Sequence, residues 1–167
     1  MAEPERGGTA VCPGSYDPVT YGHLDIIGRA SKVFDRVVVA VVNQPVRKQK
    51  TLFSADERVK FLRDELTHLD NVDVEAFSNL VVEFARAQGA KTIVKGLRAI
   101  SDFEYEFEMN QLNRKMAPDV ESMYMFSSPQ FTFLSSSGVK ELAMFGGDLS
   151  DLVPPKVSER LQEALAR

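Results

Sequence analysis

Residues 9–23 read Thr9-Ala10-Val11-Cys12-Pro13-Gly14-Ser15-Tyr16-Asp17-Pro18-Val19-Thr20-Tyr21-Gly22-His23. Thr9–Cys12 is a short strand that stops at Pro13-Gly14. From Gly22 to Phe34 the apolar residues Leu24, Ile27, Ala30 and Phe34 recur at helical spacing. Between strand and helix lie two prolines and two glycines, which make a rigid, tightly turned loop. The helix that follows offers free N–H groups and the positive end of its dipole, so it attracts phosphate. His23 falls in its first turn and can donate a hydrogen bond to phosphate oxygens. Gly22 leaves room for a ligand to approach the backbone. A lone His at a helix start is more often a surface residue, and Thr20 an ordinary N-cap; the loop context weighs against that reading here.

The same alternation runs outward along the chain. Val37–Val42 is a continuous apolar run, as in a strand covered on both faces. Ser54 and Glu57 form a capping box that opens a helix to about Leu66. Val72–Phe77 is a strand. A helix starts near Ser78-Asn79 and stops at Gly89. Lys91–Lys95 is the next strand, and Ser101 with Glu104 predicts a second capping box before a long helix closed by Pro118. Glu121–Phe126 is a strand, Phe131–Leu134 an extended or turn segment, and Ser135–Phe145 a helix stopped by Gly146-Gly147. A last helix follows Pro154-Pro155. Strands alternating with helices predict an α/β fold, a Rossmann-like doubly wound five-stranded parallel sheet with helices on both faces. Residues 1–8 are expected as a disordered N-terminal tail and 9–167 as a single domain.

Composition narrows the function. The chain has 167 residues, 44% hydrophobic and 26% charged, with a net charge of −4. That balance excludes general disorder and argues against a protein that grips a nucleic-acid backbone. No apolar run is long enough for a membrane span, and MAEPERGG lacks the apolar region of a secretory signal. One cysteine, Cys12, favours a reducing compartment, and a cytoplasmic location is expected. One Cys and two distant His, His23 and His68, give no zinc cluster. Neither GxxxxGK[ST] nor GxGxxG occurs.

In open parallel sheets ligands bind beyond the carboxyl ends of the strands. After the second strand comes Asn43-Gln44-Pro45-Val46-Arg47-Lys48-Gln49-Lys50, the most basic stretch of an acidic chain. After the fourth comes Lys95-Gly96-Leu97-Arg98, where Lys supplies a point charge and Arg a planar fork, both suited to phosphate. After the fifth come Ser127-Ser128-Pro129 and then Phe131-Thr132-Phe133-Leu134-Ser135-Ser136-Ser137, whose serines open a helix and offer hydroxyls with backbone N–H groups. Each stretch taken alone reads as solvated surface or a plain cap. Three strand ends carrying cations or helix dipoles favour a polyanion site. Phe103, Tyr105, Phe107, Met109 and Leu112 read as packing, in a core or at an interface. Cys12 reads as a small buried residue.

These motifs together resemble a known family. Thr20-x-Gly22-His23 is similar to the T/HxGH signature of class I nucleotidyltransferases, and Leu134-Ser135-Ser136-Ser137-x-x-Lys140 to the second signature, ISSTxxR, with Lys for Arg. The loop Pro13–His23, Lys95–Arg98, Asp102-Phe103-Glu104-Tyr105-Glu106 and Ser135-Ser136-Ser137-x-Val139-Lys140-Glu141 resemble bacterial phosphopantetheine adenylyltransferase over nearly the whole chain, from about Thr9 onward. The resemblance implies adenylyl transfer from ATP to 4′-phosphopantetheine, giving 3′-dephospho-CoA and pyrophosphate, the penultimate step of coenzyme A synthesis. It implies that Ser15 contacts both substrates and that His23 stabilises the transition state. It places ATP at Ser15, Tyr16, His23, Gly96, Leu97, Arg98, Glu106, Phe131, Thr132, Phe133, Leu134, Ser135, Ser136 and Ser137. It places 4′-phosphopantetheine at Ser15, Val81, Lys95 and a lysine of the basic loop, taken as Lys48 with Arg47 and Lys50 as alternatives because that loop is longer than in the family. Gly138 replaces a larger apolar residue, a change expected to loosen the helix start. The resemblance further implies Mg²⁺ with ATP, a homohexamer and feedback by CoA, with no metal held by the protein itself. Nucleic acid and membrane are not expected as partners. Other readings are a different nucleotidyltransferase, such as a cytidylyltransferase or nicotinate mononucleotide adenylyltransferase, or a non-catalytic nucleotide sensor on a similar sheet.

Overall fold

The computed structural model describes residues 7–46 and 50–165. Residues 1–6 of the expected tail lie outside the described residues, as do Arg47 and Lys48. Gly7 and Gly8, the last two residues of that tail, are tied to the body. The Gly7 N–H donates to the Val33 carbonyl at 2.9 Å, and the Gly8 N–H to Asp35 Oδ2 at 2.8 Å.

The elements run β1 (Thr9–Gly14), α1 (Tyr21–Val33), β2 (Arg36–Val42), α2 (Ala55–Glu65), β3 (Val72–Phe77), α3 (Val81–Ala87), β4 (Thr92–Leu97), α4 (Ile100–Met116), β5 (Glu121–Phe126), α5 (Ser136–Met144) and α6 (Pro155–Leu165). A short 3-10 turn, Pro129–Phe131, lies between β5 and α5. The five strands form one sheet in the order β3-β2-β1-β4-β5, every pair parallel. The expected doubly wound sheet is therefore the observed fold.

The side-chain alternation of β1 and β2 explains the two layers. Ala10, Cys12, Val37, Val39 and Val41 face one side, with Ile27, Ala30, Leu62, Val139 and Leu161 from α1, α2, α5 and α6. Val11, Val38 and Ala40 face the other, with Val82, Phe84 and Ala85 of α3. A strand buried on both faces has to be apolar at every position, which is the Val37–Val42 run. The chain reverses direction of winding at β1, between β2 and β4, and the switch point at which such sheets bind ligands lies beyond Gly14 and Leu97.

Two helix starts differ from the sequence expectation. The Ser54–Glu57 capping box is formed. The one expected at Ser101 and Glu104 is not: α4 begins at Ile100 with Ala99 as N-cap and no side-chain cap. Its first-turn carboxylate, Asp102, instead accepts from Arg98, Nε at 3.1 Å and Nη2 at 3.2 Å, so a cation four residues earlier, just past β4, occupies the helix start. Helix α3 begins at Val81 rather than Ser78-Asn79. There Ser78 Oγ accepts from Asn43 Nδ2 at 3.2 Å, and Asn79 Nδ2 donates to Glu83 at 3.4 Å.

Candidate active site

The loop after β1 folds back on itself. Tyr16 adopts φ 48°, the left-handed region that costs a non-glycine residue about 1 kcal/mol. Its ring lies over Gly14, where an added Cβ would come within 2.9 Å of it, so only glycine fits beneath. The Tyr16 hydroxyl donates to the Cys12 carbonyl at 2.8 Å. Burial, with Cys12 adding to it, raises the Tyr16 phenol well above its ordinary value. Burial likewise pushes the Cys12 thiol up to about 12, which leaves it inert as a nucleophile.

His23 is oriented by the start of its own helix. Thr20 is the N-cap of α1, and its hydroxyl accepts from the His23 N–H at 3.4 Å. In return the Thr20 N–H donates to His23 Nδ1 at 3.0 Å. This is a capping box with His in the place usually held by Glu or Gln. A backbone N–H can only donate, so Nδ1 is an acceptor and the neutral ring carries its proton on Nε2. The Tyr16 ring meets the His23 ring edge-on at 5.0 Å between centroids. His23 thus presents one N–H donor from a ring locked at two other points.

Three segments converge on this loop. Ser136 Oγ donates to the Pro18 carbonyl at 2.8 Å, which joins the N-termini of α1 and α5. Arg98 Nη1 donates to the Leu134 carbonyl at 2.8 Å, which ties the end of β4 to the segment before α5. A Cβ on Gly22 would touch Phe131 and Leu134, and one on Gly96 would come 3.1 Å from Ile26 of α1. Those glycines let β4, α1 and residues 131–134 pack closely. Lys95 pairs with Glu106 of α4 at 2.8 Å, both mostly shielded from solvent. Ser15, Tyr16, His23, Gly96, Leu97, Arg98, Phe131, Leu134, Ser135 and Ser136 therefore belong to one connected cluster, with Lys95 and Glu106 at its α4 side.

Val81 does not join that cluster. It opens α3 at the carboxyl end of β3, two strands from β1, and packs on the second core layer. Lys50 is exposed beyond β2. Thr132 and Phe133 are exposed beside the cluster. An apolar groove of about 510 Å³ flanks the same segment, lined in part by Phe133, Leu134, Val139, Leu142 and Phe145.

The serines divide their work. Ser135 caps α5, its hydroxyl accepting from the Gly138 N–H at 3.0 Å. A Cβ at position 138 would lie 3.1 Å from that hydroxyl, so glycine here gives the cap room. Ser136 holds Pro18, and Ser137 is exposed. Among the described residues no group of three or more His, Cys, Asp or Glu side chains could hold a metal ion.

Sequence reasoning passed over two buried charges beneath the site. Arg58, 1% exposed, donates to four carbonyls: Ser15 at 2.7 Å, Val42 at 2.8 Å, Asn43 at 2.9 Å and Phe53 at 3.2 Å. It joins the ends of β1 and β2 to α2. Burial lowers the guanidinium from its ordinary value, and Asp17 counters that. The available signal was an arginine on the apolar stripe Arg58, Val59, Leu62, Leu66. Asp17, fully buried, accepts from the N–H groups of Phe53 at 3.0 Å and Leu52 at 2.9 Å, and from Lys140 at 3.1 Å. Burial pushes the Asp17 carboxyl up, but the two N–H donors and the Lys140 ammonium outweigh it and hold the group below its ordinary value.

Known proteins with this pattern are numerous. A cytidylyltransferase-like family model matches residues 11–142. A phosphopantetheine adenylyltransferase of Heliobacterium modesticaldum is 53% identical over 154 residues, covering 92% of this chain and 90% of that protein. One of Rubrobacter xylanophilus is 52% identical over 158 residues, covering 95% of each. Among solved structures, the nicotinic acid mononucleotide adenylyltransferase of Plasmodium falciparum superposes with a TM-score of 0.66 at 14% identity, over 93% of this chain and 95% of that one; at that identity it shares the fold alone.

Proposed function

The chain belongs to the phosphopantetheine adenylyltransferases, and we propose how its residues carry out that family's reaction. The protein is a nucleotidyltransferase that moves the adenylyl group of ATP onto 4′-phosphopantetheine in coenzyme A biosynthesis. An oxygen of the 4′-phosphate bonds to the α-phosphorus of ATP. The bond from that phosphorus to the β-phosphate oxygen breaks, giving 3′-dephospho-CoA and pyrophosphate. The attacking phosphate monoester has a second pKa of about 6, so near neutrality it is mostly a dianion and needs no general base. The barrier is the mutual repulsion of two polyanions, and the protein's part is positioning and charge neutralisation.

The observation that carries this reading is the His23 ring, held through Nδ1 at the N-terminus of α1, which Ser136 ties through the Pro18 carbonyl to the N-terminus of α5. His23 donates to phosphate oxygens as charge builds in the transition state. Ser15 contacts both substrates. Tyr16, Gly96, Leu97, Arg98, Glu106 and residues 131–137 hold ATP. Lys95 and Lys48, the latter with Arg47 and Lys50 as alternatives, draw in the 4′-phosphate, and Val81 lies along the pantetheine arm. Lys95 is paired with Glu106, so an incoming phosphate competes with a carboxylate for it. Mg²⁺ accompanies ATP and shields its triphosphate; a site built of cations and N–H groups fits a metal carried by phosphates and water.

The exposed apolar side chains of α4 and β5, among them Phe103, Phe107, Met116 and Phe126, suit burial between subunits of a homohexamer. Residues 9–167 act as one nucleotidyltransferase domain, in the cytoplasm, with feedback by CoA. No helix among the described residues is long and apolar enough to cross a membrane. The test is release of pyrophosphate from ATP and Mg²⁺ with 4′-phosphopantetheine, beside nicotinate mononucleotide and other phosphorylated acceptors. Release with another acceptor and none with 4′-phosphopantetheine would overturn the reading.

A further inference from the structure

The ion pair between half-buried Lys140 and buried Asp17 beneath the signature loop points to a role for a residue that the catalytic description leaves aside. Lys140 stands in the second signature, where a cation next to a nucleotide suggests a phosphate ligand. Its ammonium is instead engaged by Asp17 at 3.1 Å, a carboxylate with no solvent exposure. Lys140 also begins four residues below Ser136, about 6 Å down the helix axis from the end that faces an anion.

Asp17 is a junction. It lies in the loop that carries Ser15 and Tyr16 and leads into α1 with His23, it accepts the N–H groups of Leu52 and Phe53 ahead of α2, and it reaches α5 through Lys140. The carboxylate organises the loop, but it is also a negative charge buried under a site for two polyanions. A buried charge stripped of its partner is costly and exerts a field little screened by water. The geometry assigns Lys140 as a positioning residue that works through Asp17: it neutralises this carboxylate and pins the loop to the α5 N-terminus, without itself contacting the triphosphate. The inference rests on the adenylyltransferase reading.

The two roles for Lys140 predict opposite behaviour of a double variant. With Asp17 as intermediary, K140M takes away the ammonium paired with the carboxylate, leaving the Leu52 and Phe53 N–H groups and the field of Arg58 against it, and kcat/KM for MgATP falls by about 100-fold. D17N/K140M removes both charges and recovers at least about tenfold of that loss, because the repelling group is gone. K140R keeps the pair and most of the activity. A phosphate-binding Lys140 gives the other result: D17N/K140M is as poor as K140M, K140M raises KM for MgATP, and D17N alone matches wild type. That result overturns the assignment. So does a loss of thermal midpoint in K140M with MgATP affinity and kcat unchanged, the outcome of a merely structural pair. Should K140M fail to fold, D17N/K140M decides: kcat/KM for MgATP within about tenfold of wild type supports the assignment, and a loss of about 100-fold or more overturns it. Wild-type protein is assayed first, since absence of pyrophosphate release there overturns the underlying reaction, whereas an active wild type with the wrong variant pattern overturns only the role of Lys140.

Discussion

His23 Nδ1 accepts the backbone N–H of Thr20 at 3.0 Å, so one ring nitrogen completes a helix cap while the other retains a proton to donate. One side chain therefore completes the cap with one ring atom and, in the proposed reaction, meets phosphate with another, and the two can be separated.

Asparagine at position 23 places an oxygen where Nδ1 stands but has nothing at the Nε2 position. H23N is expected to keep thermal stability within about 0.5 kcal/mol of wild type while kcat falls by about 100- to 1,000-fold. H23A should lose similar activity and about 1 kcal/mol of stability as well, since the cap is gone. Steady-state kinetics and thermal melts on both variants check this; near-normal turnover in folded H23N would remove His23 from the chemistry.

Lys95 and Glu106 form a shielded pair at 2.8 Å. K95M is expected to raise KM for 4′-phosphopantetheine by about tenfold or more and to change KM for ATP much less. Varying each substrate at saturation of the other reads the difference. A collapse of ATP binding with untouched phosphopantetheine affinity would reassign the lysine.

Acid should weaken the protein partly through Asp17. Its folded carboxyl lies below the ordinary value, with burial opposing and the N–H groups of Phe53 and Leu52 and the Lys140 ammonium prevailing. The stabilisation is complete above the unfolded carboxyl pKa of about 4, declines as pH falls below it, and is gone below the folded value. The difference in urea midpoint between wild type and D17N should be constant from neutrality down to about pH 5 and shrink below about pH 4. A difference that grows as pH falls would contradict the sign.

The Cys12 thiol, pushed up to about 12 by burial, should resist alkylation in the folded protein at neutral pH and react freely in urea. Thiol titration by absorbance, with and without denaturant, distinguishes the states. Fast labelling of the native protein would place Cys12 nearer the surface than described.

Much of the architecture was legible because its signals are local. The Val37–Val42 run reads as a strand covered on both faces, and Val72–Phe77 and Glu121–Phe126 match the observed strands residue for residue. The Ser54–Glu57 box and the Gly89 stop depend on neighbours three or four positions apart. The α4 start was misread because another pattern won over the box: Arg98, itself tied to the Leu134 carbonyl 36 residues on, engages the first-turn carboxylate Asp102, and Ser101 is left inside the helix. The Thr20-x-Gly22-His23 motif was visible as residue types at fixed spacing, but the partner that orients His23 was not, since Thr20 looked like a plain cap.

Periodicity, turn residues and the order of motifs were enough, without coordinates, to determine a parallel sheet and to put the signature residues at its carboxyl edge, because these follow from backbone geometry and burial along a continuous stretch. Only the folded chain decided which buried charges meet. Arg58 finds the Ser15 carbonyl across 43 residues and Lys140 finds Asp17 across 123. A desolvated charge takes whatever partner the packing brings within about 3 Å, and that distance is set by the whole fold rather than by any segment of it.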